Sequence, residues 1–111
     1  DGFINDVAAA IDATKARLKS KHDVFISFDE WNVWYAWYRP SSVTDGIYAA
    51  LVMHLLMEEA EKSGVTIACH FQAINEGMIR VRPDGASMTA QGQVFSLMKR
   101  HMGNRLCLAS L

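Results

Sequence analysis

Two adjacent carboxylates at the start of an aromatic run are the residues best suited to chemistry in this sequence. The segment Asp29-Glu30-Trp31-Asn32-Val33-Trp34-Tyr35-Ala36-Trp37-Tyr38 holds all three tryptophans and two of the three tyrosines. Rings beside carboxylates suit a sugar, whose C–H faces stack on aromatic planes while its hydroxyls take charged or amide partners. A carboxylate in such a setting can attack an anomeric carbon or move a proton. Cleaving a glycosidic bond takes one group for each task, with the carboxyls about 5–5.5 Å apart when configuration is retained. The competing reading is that the rings only cover the end of a sheet and the acids are paired or solvated.

The elements around this segment determine where it sits. Phe3, Ile4, Val7, Ile11 and Leu18 fall on one side of a helical pattern, with Asp12, Lys15, Arg17 and Lys19 on the other, which predicts an amphipathic helix ending near Ser20. Basic residues at its end suit the negative pole of the helix dipole. Val24 to Phe28 is a short β-branched and aromatic run, the pattern of a buried strand. Ser42-x-x-Asp45 has the form of a capping box, opening a helix that is apolar nearly all round from Ile47 to Met57 and ends before Gly64. Val65 to Ile74 reads as a second strand, Pro83-Asp84-Gly85 as a turn, and Gln91 to Met102 as a third helix closed by Gly103.

Alternating helices and strands of these lengths imply parallel strands joined by crossovers, in an α/β fold. Two strands leave open edges, and a helix apolar on most sides needs more cover than this chain supplies. The residues alone therefore predict a segment of a larger α/β protein, either a (β/α)8 barrel or an open doubly wound sheet. Both architectures place functional groups at the carboxyl ends of the strands, which here means just after Phe28 and Ile74. The chain opens on Asp1, and an upstream part is expected.

Composition narrows the partners. Eleven Lys and Arg against 12 Asp and Glu give a net charge of −1, so nothing gathers phosphate backbones or anionic lipid, and neither nucleic acid nor membrane is expected as a partner. The longest apolar stretch is far below the roughly 18 residues of a membrane span. His22, His54, His70 and His101 lack ligand spacing with one another or with Cys69 and Cys107, so no metal site is expected. His54 and His70 read as core histidines, and Cys69 as a small buried hydrophobe that does not pair with Cys107. The two cysteines favour a reducing, cytoplasmic setting.

The string Phe28-Asp29-Glu30-Trp31-Asn32-Val33-Trp34-Tyr35 resembles the nucleophile segment of the α-L-arabinofuranosidases of glycoside hydrolase family 51. The order of elements agrees, as does a following strand that bears Ala68-Cys69, Gln72 and Asn75. The resemblance implies strands seven and eight, with flanking helices, of a (β/α)8 TIM barrel over residues 1–103, and the start of a β-sandwich at 104–111. It implies Glu30 as catalytic nucleophile, Trp31, Trp34, Gln72 and Asn75 as substrate-binding residues, and Asp29 and Asn32 as supporting groups behind the site. It also implies a retaining, exo-acting enzyme that releases terminal arabinofuranosyl residues from arabinan or arabinoxylan and requires no cofactor. The chain's partners would be the carbohydrate and the remainder of the barrel, with room for a homo-oligomer of the full-length protein.

The chain departs from the family at His70 and Phe71, where small or aliphatic residues are usual, and at Glu76, where an apolar one is. The family's acid/base glutamate follows strand four, upstream of Asp1. Glu76 after Asn75 imitates that Asn-Glu pair from the neighbouring strand and is the alternative acid. Two other functions remain open on the residues. One is another retaining enzyme of the same clan, such as an endoglucanase or xylanase. The other is a carbohydrate-binding or structural module that holds sugar without cleaving it.

Overall fold

The computed structural model describes residues 2–33 and 39–104. Trp34 to Tyr38 and the segment 105–111, including Cys107 and nearly all of the expected β-sandwich start, lie outside the described residues. Helix α1 (Gly2–Leu18) leads to strand β1 (Ile26–Trp31), helix α2 (Val43–Ser63), strand β2 (Val65–His70), a hairpin of β3 (Ile79–Arg82) and β4 (Gly85–Met88), and helix α3 (Ala90–Met98) with a 3-10 turn at Lys99–His101. The fold is α/β in character, as the alternation of patterns predicts.

The helix boundaries follow from local chemistry. Asp45 accepts a hydrogen bond from the Ser42 amide at 2.7 Å and also pairs with Arg39, so the orphan groups at the start of α2 are answered in the way the capping-box pattern requires. At its other end Gly64 takes φ 70°, the left-handed conformation that glycine adopts without Cβ strain. The Ser63 hydroxyl donates to Asn5 at 3.1 Å and ties this end of α2 to α1.

Strands β1 and β2 pair in parallel, and α2 crosses between them. Ile26 pairs opposite Val65, which explains why β1 begins there and not at Val24: Val24 and Phe25 have no partner strand beside them and stand exposed. At the other end β1 runs through Asp29 and Glu30 to Trp31, so the acid pair belongs to the strand and not to the loop after it. β2 ends at His70, short of the predicted Ile74, leaving Gln72 and Asn75 in the connection that follows. The β3–β4 hairpin is an addition to the predicted order, formed around the Pro83-Asp84 turn with Ile79 opposite Met88.

The buried centre is small. Ile4, Ile26 and Val65 form its middle, with Val7, Ile11, Phe28 and Leu56 packed around them. Much apolar surface stays open, including Phe3, Leu18, Val43, Ile47 and Leu51. The radius of gyration is 17.0 Å, against about 13 Å for a compact domain of 100 residues. This is the surface of a piece that packs against more protein.

The start of α3 is pressed against the connection after β2. A Cβ at Gly92 would collide with the Met78 carbonyl oxygen, and one at Gly46 would lie 3.2 Å from the Ala90 backbone. Gly92→Ala in the full-length protein is therefore expected to cost about 1–3 kcal/mol by overpacking. Thermal unfolding checks this, with a lowered midpoint as the expected result.

Candidate functional site

Glu30 lies within an irregularity of β1. Strict alternation would place it with Ile26 and Phe28 on the face covered by the helices. The register with β2 slips between Phe28 and Trp31, and it is Trp31 that is buried, 7% exposed, toward α3. A bulge of this kind puts two residues in the place of one and re-aims the side chains beside it. Asp29 and Glu30 are both exposed, at the carboxyl end of a parallel strand. Asp29 accepts a hydrogen bond from the Ser27 hydroxyl.

Trp31 was expected among the sugar contacts, but its burial gives it a different part. Its indole stacks on Phe95 of α3 with centroids 6.0 Å apart and meets the edge of His70 at 4.8 Å, while His70 and Phe95 meet at 4.9 Å. These three rings fasten the ends of β1 and β2 to α3. His70 is a packed histidine, but neither ring nitrogen has a hydrogen-bond partner among the described residues. Burial lowers its pKa below the ordinary value of 6.5. His54 and Cys69, read as buried, are both exposed.

The shift at His70 carries a sign. A histidine whose folded pKa is depressed binds its proton more readily in the unfolded chain, so its neutral ring is compatible with folding above about 6.5, and stability falls as pH drops below that value. His70→Phe keeps a ring between Trp31 and Phe95. In the full-length protein it is expected to lose less thermal stability than the parent between pH 7 and 5, as measured by unfolding midpoints across that range.

Asn32 links the end of β1 to two distant parts of the chain. Its Oδ1 accepts from the Val33 amide at 2.7 Å and from Gln91 Nε2 at 2.7 Å, and its Nδ2 donates to the Glu76 carbonyl at 2.9 Å. Asn75 stands exposed with φ 65°, its side chain accepting from the Val81 amide at 2.8 Å, and Gln72 is exposed on the connection between β2 and β3. Thr89, the N-cap of α3, accepts from Gly92 N–H at 3.1 Å and donates to the Gly77 carbonyl at 2.5 Å. A cavity of about 30 Å³ lies between these elements, lined in part by Arg39, Ser41, Asp45, Glu76, Arg80 and Gln91. Glu76 thus faces a small polar space, with its backbone held by Asn32.

Arg39, Arg80, Thr89 and Gln91 were not singled out in the sequence, because nothing in their spacing ties them to Glu30. The only local signal was Thr89 three residues before Gly92, in the place of a helix cap. Trp34 lies outside the described residues. No helix among the described residues is long and apolar enough to cross a membrane.

No protein-family model matches the chain. Over 59 residues it is 71% identical to an exo-α-(1→6)-L-arabinofuranosidase of Bifidobacterium longum, a match that takes in 53% of this chain and 11% of that protein. It is 35% identical over 95 aligned positions to the intracellular exo-α-(1→5)-L-arabinofuranosidase of Acetivibrio thermocellus, covering 68% of this chain and 18% of that protein. The intracellular exo-α-(1→5)-L-arabinofuranosidase 1 of Bacillus subtilis is 37% identical over 90 positions, with the same coverages of 68% and 18%. The chain therefore spans less than a fifth of the length of these curated relatives.

Proposed function

Taking as premise that this chain is homologous to a segment of the exo-α-L-arabinofuranosidases, we propose that it carries the nucleophile of a retaining enzyme that releases terminal α-L-arabinofuranosyl residues. The observation that carries the reading is Glu30, exposed beside Asp29 at the carboxyl end of β1. In α/β barrels that end of the strands is where catalytic groups sit. The proposal makes β1 and β2 strands seven and eight of a (β/α)8 barrel.

The mechanism follows from what one carboxylate can and cannot do. Glu30 attacks the anomeric carbon as the glycosidic bond breaks, and a second carboxyl group protonates the leaving oxygen. Water then attacks the glycosyl-enzyme ester, with the second group acting as base, and the two inversions leave the configuration retained. In this proposal the acid/base comes from an earlier strand of the full-length protein. Asp29 supports the site, and Gln72, Asn75 and Trp34 hold the sugar. Trp31 is reassigned to fastening the strand end, since it is buried against Phe95 and His70. The names of two relatives support an intracellular setting.

The test is the stereochemistry and selectivity of the full-length enzyme. Proton NMR of the first product released from an aryl α-L-arabinofuranoside is expected to show the α anomer before mutarotation, with little turnover of β-linked xylan or cellulose oligomers. An inverted first product, or a preference for xylan or glucan backbones, would replace this reading with one of its rivals.

A further inference from the structure

We propose that Gln91 is a positioning residue for the nucleophile strand, acting through Asn32; the inference rests on the reading of Glu30 just given. Gln91 is 1% exposed, at the start of α3, and 59 residues separate it in sequence from Asn32, to which it is bonded.

The hydrogen bonds fix which way each amide faces. The Val33 amide can only donate, so the Asn32 oxygen must face it; the Glu76 carbonyl can only accept, so the Asn32 nitrogen must face that. With Asn32 oriented by two backbone groups, Gln91 has to present its amino group to the Asn32 oxygen, as it does at 2.7 Å. Gln91 Oε1 is left buried with no partner among the described residues, and Gln91 lines the cavity between Ser41 and Glu76. A polar side chain kept in so buried a position, where an apolar one of equal volume would avoid the desolvation cost, points to what its donor does for Asn32.

Gln91 stands on a rigid support. The Thr89 cap, the close approach of Gly92 to Met78 and the packing of Gly46 on Ala90 hold the first turn of α3. Asn32 follows Glu30 by two residues, just beyond the register shift between Phe28 and Trp31. Holding Asn32 at both ends therefore fixes where the strand leaves the bulge. An error of about 1 Å in a reacting group can cost on the order of 100-fold in rate.

The experiment uses the full-length enzyme and an aryl α-L-arabinofuranoside. Gln91→Met keeps the volume and removes the donor, and is expected to lower kcat by about 10- to 100-fold while KM changes by less than about threefold. Gln91→Glu keeps polarity and shape but sets a carboxylate against the Asn32 oxygen, so it is expected not to restore kcat, and it serves as the variant of record if Gln91→Met does not fold. If Gln91 acts through Asn32, the double variant Asn32→Ala/Gln91→Met should be no slower than Asn32→Ala alone. Wild-type kcat in either folded Gln91 variant, or losses that multiply independently in the double variant, would overturn the inference. A Glu30→Ala arm keeps the two claims apart. If it abolishes turnover while the Gln91 variants keep theirs, only the positioning role falls; if it keeps turnover, the nucleophile reading falls.

Discussion

Replacing Glu30 by alanine in the full-length enzyme is expected to lower turnover by about 10⁴- to 10⁶-fold, the scale on which a covalent mechanism fails without its nucleophile. The loss has a chemical signature as well as a size. Alanine leaves space beside the anomeric carbon, and azide can enter it from the side the carboxylate occupied. On a substrate with a good leaving group, azide is expected to restore part of the rate and to give a glycosyl azide of inverted configuration. Glu30→Gln keeps the volume but removes both the nucleophile and the negative charge that stabilises an oxocarbenium-like transition state. Both variants should fold, because Glu30 is exposed at the end of β1 while Ile26 and Phe28 lie against the core.

The 111-residue chain taken alone is expected to show no measurable turnover of an activated aryl arabinofuranoside. In the proposed mechanism it supplies one carboxyl group of the two required. It is also expected to lack a firm fold. Among the described residues β1 and β2 form a sheet of two strands, and Val43, Ile47 and Leu51 line an open face of α2. Such a piece should bind a dye for exposed apolar surface strongly and unfold over a broad temperature range. Turnover approaching that of a complete enzyme would return Glu76 to consideration as the acid. A sharp transition from a monomer would show that the small core of Ile4, Ile26 and Val65 suffices.

What the sequence made legible was mostly local. The capping box at Ser42 and Asp45, the left-handed Gly64 and the helical patterns of α1 and α2 depend on residues close together, and the structure forms them where they were expected. The limits of β1 depend on its partner. Val24 and Phe25 have strand-forming side chains, yet pairing starts at Ile26, opposite Val65. The hairpin had a readable sign in Ile79-Arg80-Val81-Arg82, an apolar and basic alternation before the recognised turn. Four residues per strand make that sign a short one.

For the site, the motif drew attention to Glu30, but the bulge around it is a matter of register and is not written in residue types. Trp31 shows the same limit. A tryptophan in an aromatic run looks like a sugar platform until Phe95 and His70 from elsewhere in the chain enclose it. The Gln91–Asn32–Glu76 chain joins three segments by side-chain bonds. No spacing rule links residues so far apart.

The most direct measurement of the central claim is to catch the covalent intermediate on the full-length enzyme. A 2-deoxy-2-fluoro arabinofuranoside with a good leaving group destabilises the oxocarbenium-like transition states, while its leaving group still lets the first step proceed, so the glycosyl-enzyme accumulates. After peptic digestion, mass spectrometry is expected to find the added sugar on the peptide containing Asp29-Glu30-Trp31, with fragmentation placing it on Glu30. Label on Asp29 or Glu76, or on a carboxylate outside this segment while Glu30 stays unmodified, would contradict the account.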